Sequence, residues 1–181
     1  MKKFARLLAV MAILFVSITP ARAEHYVGLG LGLFELDSGA GKQKTFGSFV
    51  QLGNDFMPYL GAEIRLGATA KTSGNNEEMQ LDWLVAHLLK PYFDVSDDFT
   101  LYGLAGFTVN HTSLRVGTAN KLKKTNVSLS FGLGGEYAIS KDFKLSAEWV
   151  RYATEKDASR RAANFQGLDV NGFVGSLKYE F

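Results

Sequence analysis

The residues whose types come nearest to hydrolytic chemistry are a histidine and a serine two positions apart, His111-Thr-Ser113. A serine acts as a nucleophile only beside a base that is itself oriented, and the spacing shows neither condition. The other two histidines, His25 and His87, have no partner in sequence, and three scattered histidines make a poor metal site. The chain has no cysteine, which excludes a disulfide framework, a zinc ribbon and a thiol nucleophile. We therefore predict no catalytic residues, no metal site and no enzymatic activity.

A second motif with chemical potential is the run Gly28-Leu-Gly30-Leu-Gly32. Phosphate-binding loops of the dinucleotide type need the spacing G-x-G-x-x-G and a following helix, and neither is present. The run instead predicts a strand whose glycine face leaves room for long side chains across a narrow interior. No cofactor is therefore expected.

Length and composition exclude several other classes of protein. The 181 residues suit one domain, charged residues make up 21% and mean hydropathy is −0.01. A helical membrane protein would be far more apolar, and a disordered chain would contain fewer aromatic and more charged residues. The formal net charge of +2 gives no sign of nucleic-acid binding.

Residues 1–23 have the three parts of a secretory signal peptide. Cations come first (Lys2, Lys3 and Arg6), Leu7–Ile18 is apolar, and Ala21-Arg-Ala23 follows Pro20. A membrane anchor would need about 18 or more apolar residues, so we predict cleavage after Ala23 instead. The mature domain is then residues 24–181, in which Lys and Arg fall from 20 to 16 against 18 acids, a net charge of −2.

The rest of the chain alternates between apolar and polar residues with a period of two, which predicts strands with one apolar face. Eight strands are expected: Tyr26–Glu35, Thr45–Gly53, Tyr59–Ala70, Met79–Phe93, Phe99–Thr112, Asn126–Ile139, Phe143–Tyr152 and Leu168–Phe181. Met79–Phe93 is apolar on both faces, so the pattern does not say which of its residues point inward.

The connections between these strands alternate between short and long. Short turns are expected at Asn54–Pro58, Asp94–Asp98 and Ser140–Asp142, and longer polar loops at Asp37–Lys44, Lys71–Glu78, Ser113–Lys124 and Thr154–Gly167. Aromatic residues cluster beside the short turns, as in a girdle at one membrane interface. These features predict an all-β fold, an eight-stranded antiparallel up-and-down transmembrane barrel, with both termini at the short-turn end.

If the apolar faces point outward, several charged residues must point into the barrel. They are Glu63, Arg65, Glu136, Glu148 and Lys178. A lone buried charge is costly, so we expect these groups to form a hydrogen-bonded network, with Tyr102 and Tyr152 as further donors. An eight-stranded barrel is only wide enough for its own side chains, which favours a structural plug over a narrow ion path.

The signal peptide, the eight alternating strands and the last strand, Val174-Gly-Ser-Leu-Lys-Tyr-Glu-Phe181, resemble the small outer-membrane barrels of Gram-negative bacteria, which include the OmpA barrel domain, OmpX, Ail and opacity-type proteins. The pattern Leu101-Tyr-Gly-Leu-Ala-Gly106 also resembles their fifth strand. The resemblance implies an outer-membrane location and recognition by the barrel-assembly machinery through Phe173, Leu177, Tyr179 and Phe181. Lipid A deacylase barrels carry H-Y-S-N on a late strand, whereas this chain has Glu148-Trp-Val-Arg-Tyr152 there.

The long loops hold the remaining candidate site. Ser113–Lys124 carries Arg115, Lys121, Lys123 and Lys124 and no acid, and Thr154–Gly167 adds a smaller excess that includes Arg160 and Arg161. These cations predict contact with lipopolysaccharide phosphates, a host polyanion or a matrix protein, although a solvated loop tip is the alternative. We expect a monomeric, non-enzymatic surface protein with a role in envelope structure or adhesion. The alternatives are a small porin-like channel and a lipid A-modifying enzyme.

Overall fold

The alternating segments form long antiparallel strands in the computed structural model, which describes residues 24–39, 41–74, 76–154, 165 and 167–181. The strands are β1 (Glu24–Asp37), β2 (Lys42–Met57), β3 (Leu60–Thr69), β4 (Thr72–Gly74), β5 (Glu77–Asp94), β6 (Phe99–Val116), β7 (Leu122–Ala138), β8 (Phe143–Ala153) and β9 (Asp169–Glu180). The predicted signal peptide lies outside the described residues. None of the described residues belongs to a helix long and apolar enough to cross a membrane.

The strands close into a barrel because each one pairs with its neighbour in sequence and the first pairs with the last. The order is β3-β2-β1-β9-β8-β7-β6-β5-β4, and β3 also pairs with β5. The short β4 continues the line of β3, since both pair antiparallel with β5. The described segments therefore make eight wall strands, which confirms the predicted fold.

The strands extend further than the sequence predicted, most of all at the β6–β7 hairpin. Ser113 pairs with Lys123 and Leu114 with Leu122, so the expected loop Ser113–Lys124 shrinks to residues 117–121. Polar composition suggested a loop there, but a hairpin keeps its ladder as long as the partner strand satisfies the backbone groups. Arg115, Lys123 and Lys124 consequently lie on strands.

Side chains on the outer wall are apolar, and side chains on the inner wall are shielded from solvent, as the alternation predicted. Leu31 and Leu133 are 62% and 65% exposed on the outside, whereas the side chains that follow the opposite phase are mostly buried. The structure also resolves the orientation of β5. Leu88 and Lys90 point into the barrel, and Leu89 and Phe93 point outward.

Aromatic side chains mark both ends of the apolar band. At the short-turn end Tyr59, Phe93, Tyr137 and Phe181 are exposed on the outer wall. A second group, not predicted from the sequence, lies nearer the long-loop end and comprises Phe46, Trp83, Trp149 and Phe173. Two aromatic girdles that flank an apolar band are typical of transmembrane barrels.

The interior has two layers that differ in chemistry. Near the long-loop end it is filled by apolar side chains, among them Leu36, Met79, Leu81, Leu168 and Val170, all nearly inaccessible to solvent. The charged side chains occupy the half nearer the short turns. The glycines of β1 make room for the side chains opposite: a Cβ on Gly28 would lie 2.6 Å from Gln51 Nε2, and one on Gly30 would overlap the ring of Phe49.

Candidate functional site

Six charged side chains meet inside the barrel, and we call them the lumen cluster. They are Glu63, Arg65, Lys90, Glu136, Glu148 and Lys178, none of them more than 3% exposed. Each projects from the inner face of a strand, because the period-two alternation that sends leucines to the outer wall sends these residues inward. The cluster contains three acids and three bases, so its formal charges cancel.

Arg65 is the centre of the half of the cluster that joins β3 to β8. Its Nε donates to Glu63 Oε1, and Nη1 and Nη2 donate to the two carboxylate oxygens of Glu148. Nη1 also donates to the hydroxyl of Tyr152 at 2.7 Å. A guanidinium bound through two nitrogens to one carboxylate fixes both side chains in position.

Glu136 is the centre of the other half. Lys178 Nζ donates to its Oε2 at 2.9 Å and Lys90 Nζ to its Oε1 at 3.2 Å. Lys178 also lies 4.0 Å from Glu63 Oε2, and this contact joins the two halves. Each buried carboxylate thus faces at least one cation, as burial of charge requires.

Tyrosines complete the hydrogen bonding of the cluster. The Tyr26 hydroxyl donates to Glu63 Oε2 and the Tyr102 hydroxyl to Glu148 Oε2, each at 2.7 Å. The ammonium group of Lys178 lies 4.9 Å and 5.0 Å from the ring centres of the same two tyrosines. Hydrogen bonds and cation–π contacts together replace the water that these charges lose on burial.

Lys90 is the member that the sequence analysis did not find. The strand around it is apolar on both faces, so the alternation gave no phase. The lysine itself carried the missing signal, because a charge on a lipid-facing wall is expensive and an inward orientation avoids that cost. Asp55 and Lys144 continue the pairing toward the short turns, with Asp55 Oδ2 3.8 Å from Lys90 Nζ and Lys144 Nζ 2.6 Å from Glu180 Oε1.

The histidine and serine of the candidate hydrolytic pair make no hydrogen bond with each other. His111 Nδ1 shares a hydrogen bond with Thr125 Oγ1 at 2.7 Å, and its ring stacks on Trp83 with centroids 5.8 Å apart. Ser113 Oγ is buried and makes no hydrogen bond to any described residue. Among the residues that the structure describes there is also no group of three potential metal ligands.

The four residues assigned to assembly point outward from β9 and its end. Phe173, Leu177, Tyr179 and Phe181 are between 43% and 71% exposed. Tyr179 packs on Phe143 with ring centroids 5.2 Å apart, and the Phe181 amide donates to the His25 carbonyl at 2.9 Å. The C-terminus thus lies at the seam where the last strand meets the first.

The basic residues at the opposite end fall into two groups. Arg115 and Lys121 face acids from β5, with Arg115 Nη1 3.8 Å from Glu78 and Lys121 Nζ 3.6 Å from Asp82. The count of charges within the loop Ser113–Lys124 did not include these two acids, because they lie more than 30 positions earlier in the sequence. Lys123 and Lys124 have no acidic group within ion-pair distance among the described residues. Arg160 and Arg161 lie outside those residues.

A closed eight-stranded barrel with an apolar outer wall, two aromatic girdles and a charge-paired interior defines the class of outer-membrane β-barrel proteins. Residues 7–181 match the family described as "Outer membrane protein beta-barrel domain", and the chain belongs to that family. Membership implies a location in the outer membrane.

Solved structures show the same fold at low sequence identity. Neisserial surface protein A is 15% identical with a TM-score of 0.71, over 87% of this chain and 97% of that chain. Ail of Yersinia pestis is 15% identical with a TM-score of 0.63, over 88% and 99%. The barrel domain of Pseudomonas aeruginosa OprF is 10% identical with a TM-score of 0.61, over 88% and 100%. No curated protein matches the sequence.

Proposed function

We propose that the protein is a non-enzymatic surface protein that binds phosphate or sulfate groups of a polysaccharide through the β6–β7 hairpin. The polysaccharide is either lipopolysaccharide or a host polyanion. The observation that carries this proposal is the position of Lys123 and Lys124, two cations with no acidic partner among the described residues, beside the hairpin tip.

The two lysines lie on opposite faces of the hairpin. They are consecutive residues of β7, so Lys123 shares the outward phase of Leu129 and Leu133, and Lys124 shares the inward phase of Ser130 and Glu136. Arg115 and Lys121 add charge nearby, although Glu78 and Asp82 partly offset it. Attraction to a polyanion is then weak and falls with added salt, because exposed charges are screened over about 8 Å at physiological ionic strength.

The chemistry has a precedent on this fold. Ail of Yersinia pestis, 15% identical with a TM-score of 0.61, has been solved in complex with the heparin analogue sucrose octasulfate. The likeness is one of fold, so the residues that carry binding in this chain are proposed from its own cations.

The packed lumen favours a structural plug over a channel. We further propose cleavage after Ala23, a monomeric barrel, and recognition of Phe173, Leu177, Tyr179 and Phe181 by the barrel-assembly machinery.

Retention on heparin tests the proposal. The refolded barrel in non-ionic detergent is eluted with a salt gradient, and K123A/K124A is expected to elute at lower salt than the parent. The control K42A/K71A removes the same net charge from the same end, but its lysines already face acids: Lys42 lies 3.3 Å from Glu35 and Lys71 lies 2.9 Å from Glu78. The salt concentration at which this control elutes should therefore change less than that of K123A/K124A.

Two results would count against the proposal. Unchanged elution of K123A/K124A would mean that the hairpin lysines are merely solvated. Equal shifts of the two variants would mean that the column senses net charge and no particular site. The same pair of variants, measured on lipopolysaccharide with and without its phosphates, separates the two sources of anionic groups.

A further inference from the structure

An aspartate, a histidine and a lysine from three parts of the chain meet beside the β6–β7 hairpin. Asp82 is left unpaired on β5 where the β5–β6 register shifts between Leu81 and Trp83, and a bulge of this kind re-aims a side chain. Its Oδ2 lies 4.0 Å from Nε2 of His111 on β6, and its Oδ1 lies 3.6 Å from Nζ of Lys121 at the hairpin tip. One carboxylate is therefore shared by two basic groups.

Neither basic group fully satisfies the carboxylate of Asp82. Oδ2 is buried and makes no hydrogen bond with any described residue, and both contacts are longer than hydrogen bonds. The side chains of Asp82, His111 and Lys121 are 23%, 24% and 27% exposed, so protons can exchange between the cluster and solvent. Because a buried acceptor without a donor costs free energy, the carboxylate gains from whichever neighbour becomes a better donor.

His111 is placed to become that donor when its ring is protonated. Nδ1 shares a hydrogen bond of 2.7 Å with Thr125 Oγ1, and Nε2 faces Asp82. A neutral imidazole donates from only one nitrogen, whereas an imidazolium donates from both. The ring also stacks on Trp83 with the two planes 7° apart, and an aromatic face attracts a cation. Histidine is the side chain whose charge commonly changes between about pH 5 and 8.

Charged groups on each strand beside His111 also act on its proton. They are Asp82 and Glu78 on β5, Arg115 on β6, Lys121 at the hairpin tip and Lys123 on β7. The two acids favour the charged ring and the three cations oppose it. Glu78 is already engaged, because it lies 2.9 Å from Lys71 and 3.8 Å from Arg115, so Asp82 is the acid that a charged His111 would contact.

Lys121 is the weaker competitor for this carboxylate once the ring is charged. His111 is fixed by the β6 ladder, by Thr125 and by the ring of Trp83. Lys121 belongs to the connection 117–121, outside the strands, and its long side chain gains rotamer freedom when it leaves the wall. A new positive charge on His111 would also repel the ammonium group of Lys121.

We propose that His111, Asp82 and Lys121 form a pH-dependent switch that regulates the polyanion site of the β6–β7 hairpin. At neutral pH Asp82 holds Lys121 and offsets its charge. As the pH falls and His111 is protonated, the ring takes the carboxylate and Lys121 joins Lys123 and Lys124. The positive charge of the hairpin rises, so its affinity for a polyanion rises at acid pH and falls again as the pH increases. This inference rests on the proposed function, because it concerns the same site.

Heparin retention of the refolded full chain at about pH 7.5 and about pH 5.5 tests the switch. The parent should bind about threefold more tightly at the lower pH, which is the scale of one exposed ion pair. His111→Gln should lose this increase, and Lys121→Ala should keep only the part that comes from the charge of His111 itself. Asp82→Asn should bind more tightly than the parent already at the higher pH. Glu35→Gln is the control, since it removes an acid from the same end on β1 and should keep the full increase.

A second measurement does not depend on polyanion binding. NMR spectra of the isotope-labelled barrel in detergent follow the ring of His111 and the backbone amide of Lys121 as the pH is lowered. Both signals should titrate with one midpoint in the parent. The response of the Lys121 amide should be lost in His111→Gln and kept in Glu35→Gln.

Three results would overturn the inference. A full increase of heparin affinity in His111→Gln would assign the pH dependence to other groups. A full increase in Lys121→Ala would mean that His111 adds only its own charge. A Lys121 amide that does not follow the titration of His111 would mean that the lysine is not released. If the NMR titrations are as expected but K123A/K124A elutes from heparin like the parent, the polyanion proposal fails and the switch stands.

Discussion

Arg65 and Glu148 are 83 positions apart in the sequence, yet two parallel hydrogen bonds join them across the interior of the barrel. This pair links β3 directly to β8, strands that share no backbone pairing. Backbone hydrogen bonds between neighbouring strands hold the wall together, and the lumen cluster adds side-chain contacts between strands across the interior. The interior therefore contributes to stability as a packed core does in a soluble protein.

Removal of the Arg65 guanidinium should destabilise the barrel strongly. Arg65→Ala leaves two buried carboxylates without their main cation, and loss of one member of a buried pair costs about 3–5 kcal/mol. Urea unfolding of the refolded barrel in lipid vesicles measures the change. Arg115→Ala is the control, since its side chain is 44% exposed and its contact with Glu78 is long. Equal losses in the two variants would show that Arg65 is hydrated.

Lys90 and Glu136 should prove energetically coupled. A double-mutant cycle with Lys90→Met and Glu136→Gln isolates their interaction, and we expect about 1–3 kcal/mol because both groups are buried in one network. The matched surface cycle uses Lys71 and Glu78, which are 2.9 Å apart but partly exposed. That pair should couple by less than about 1 kcal/mol. A coupling for Lys90 no larger than this value would contradict an inward orientation of the lysine.

Deletion of Phe181 should slow assembly. The residue contributes an exposed ring at the barrel seam, stacked with His25 and Tyr179 at centroid distances of 6.2 Å. We expect less heat-modifiable protein in the membrane fraction and more chain in the periplasm. Tyr59→Ala serves as the control, because it removes an exposed aromatic ring at the same end but away from β9. Normal insertion of the Phe181 deletion would remove this residue from the assembly signal.

The refolded protein should not conduct ions. The charged half of the lumen is filled by its own ion pairs, and the half above it is closed by apolar side chains such as Leu36 and Leu81. Apolar constrictions exclude water and block ions even without complete occlusion. Planar-bilayer recording, with a larger porin as a positive control, measures this. Sustained conductance steps at low voltage would favour the channel alternative.

Most of the architecture was predictable from the sequence because strand alternation is a local signal. Once Leu129 and Leu133 face lipid, Glu136 must face the interior, whatever its partners are. The same rule could not orient the strand around Lys90, where apolar residues occupy both faces. The polar composition of Ser113–Lys124 wrongly placed Lys123 in a loop, because composition does not distinguish a loop from a strand that extends into water with a paired neighbour.

By itself, the sequence determined the number of strands, the inward face of five of the six lumen charges and the position of the aromatic girdle beside the short turns. The tertiary structure decided which charges meet. Register brings Glu78 beside Arg115 and gives Lys123 no acid among the residues that the structure describes, and barrel closure places Arg65 against Glu148. The physical reason is the range of the two effects. The direction of a side chain follows from its immediate neighbours along the strand. Its partners lie on strands dozens of residues away, and these strands come together only when the sheet closes.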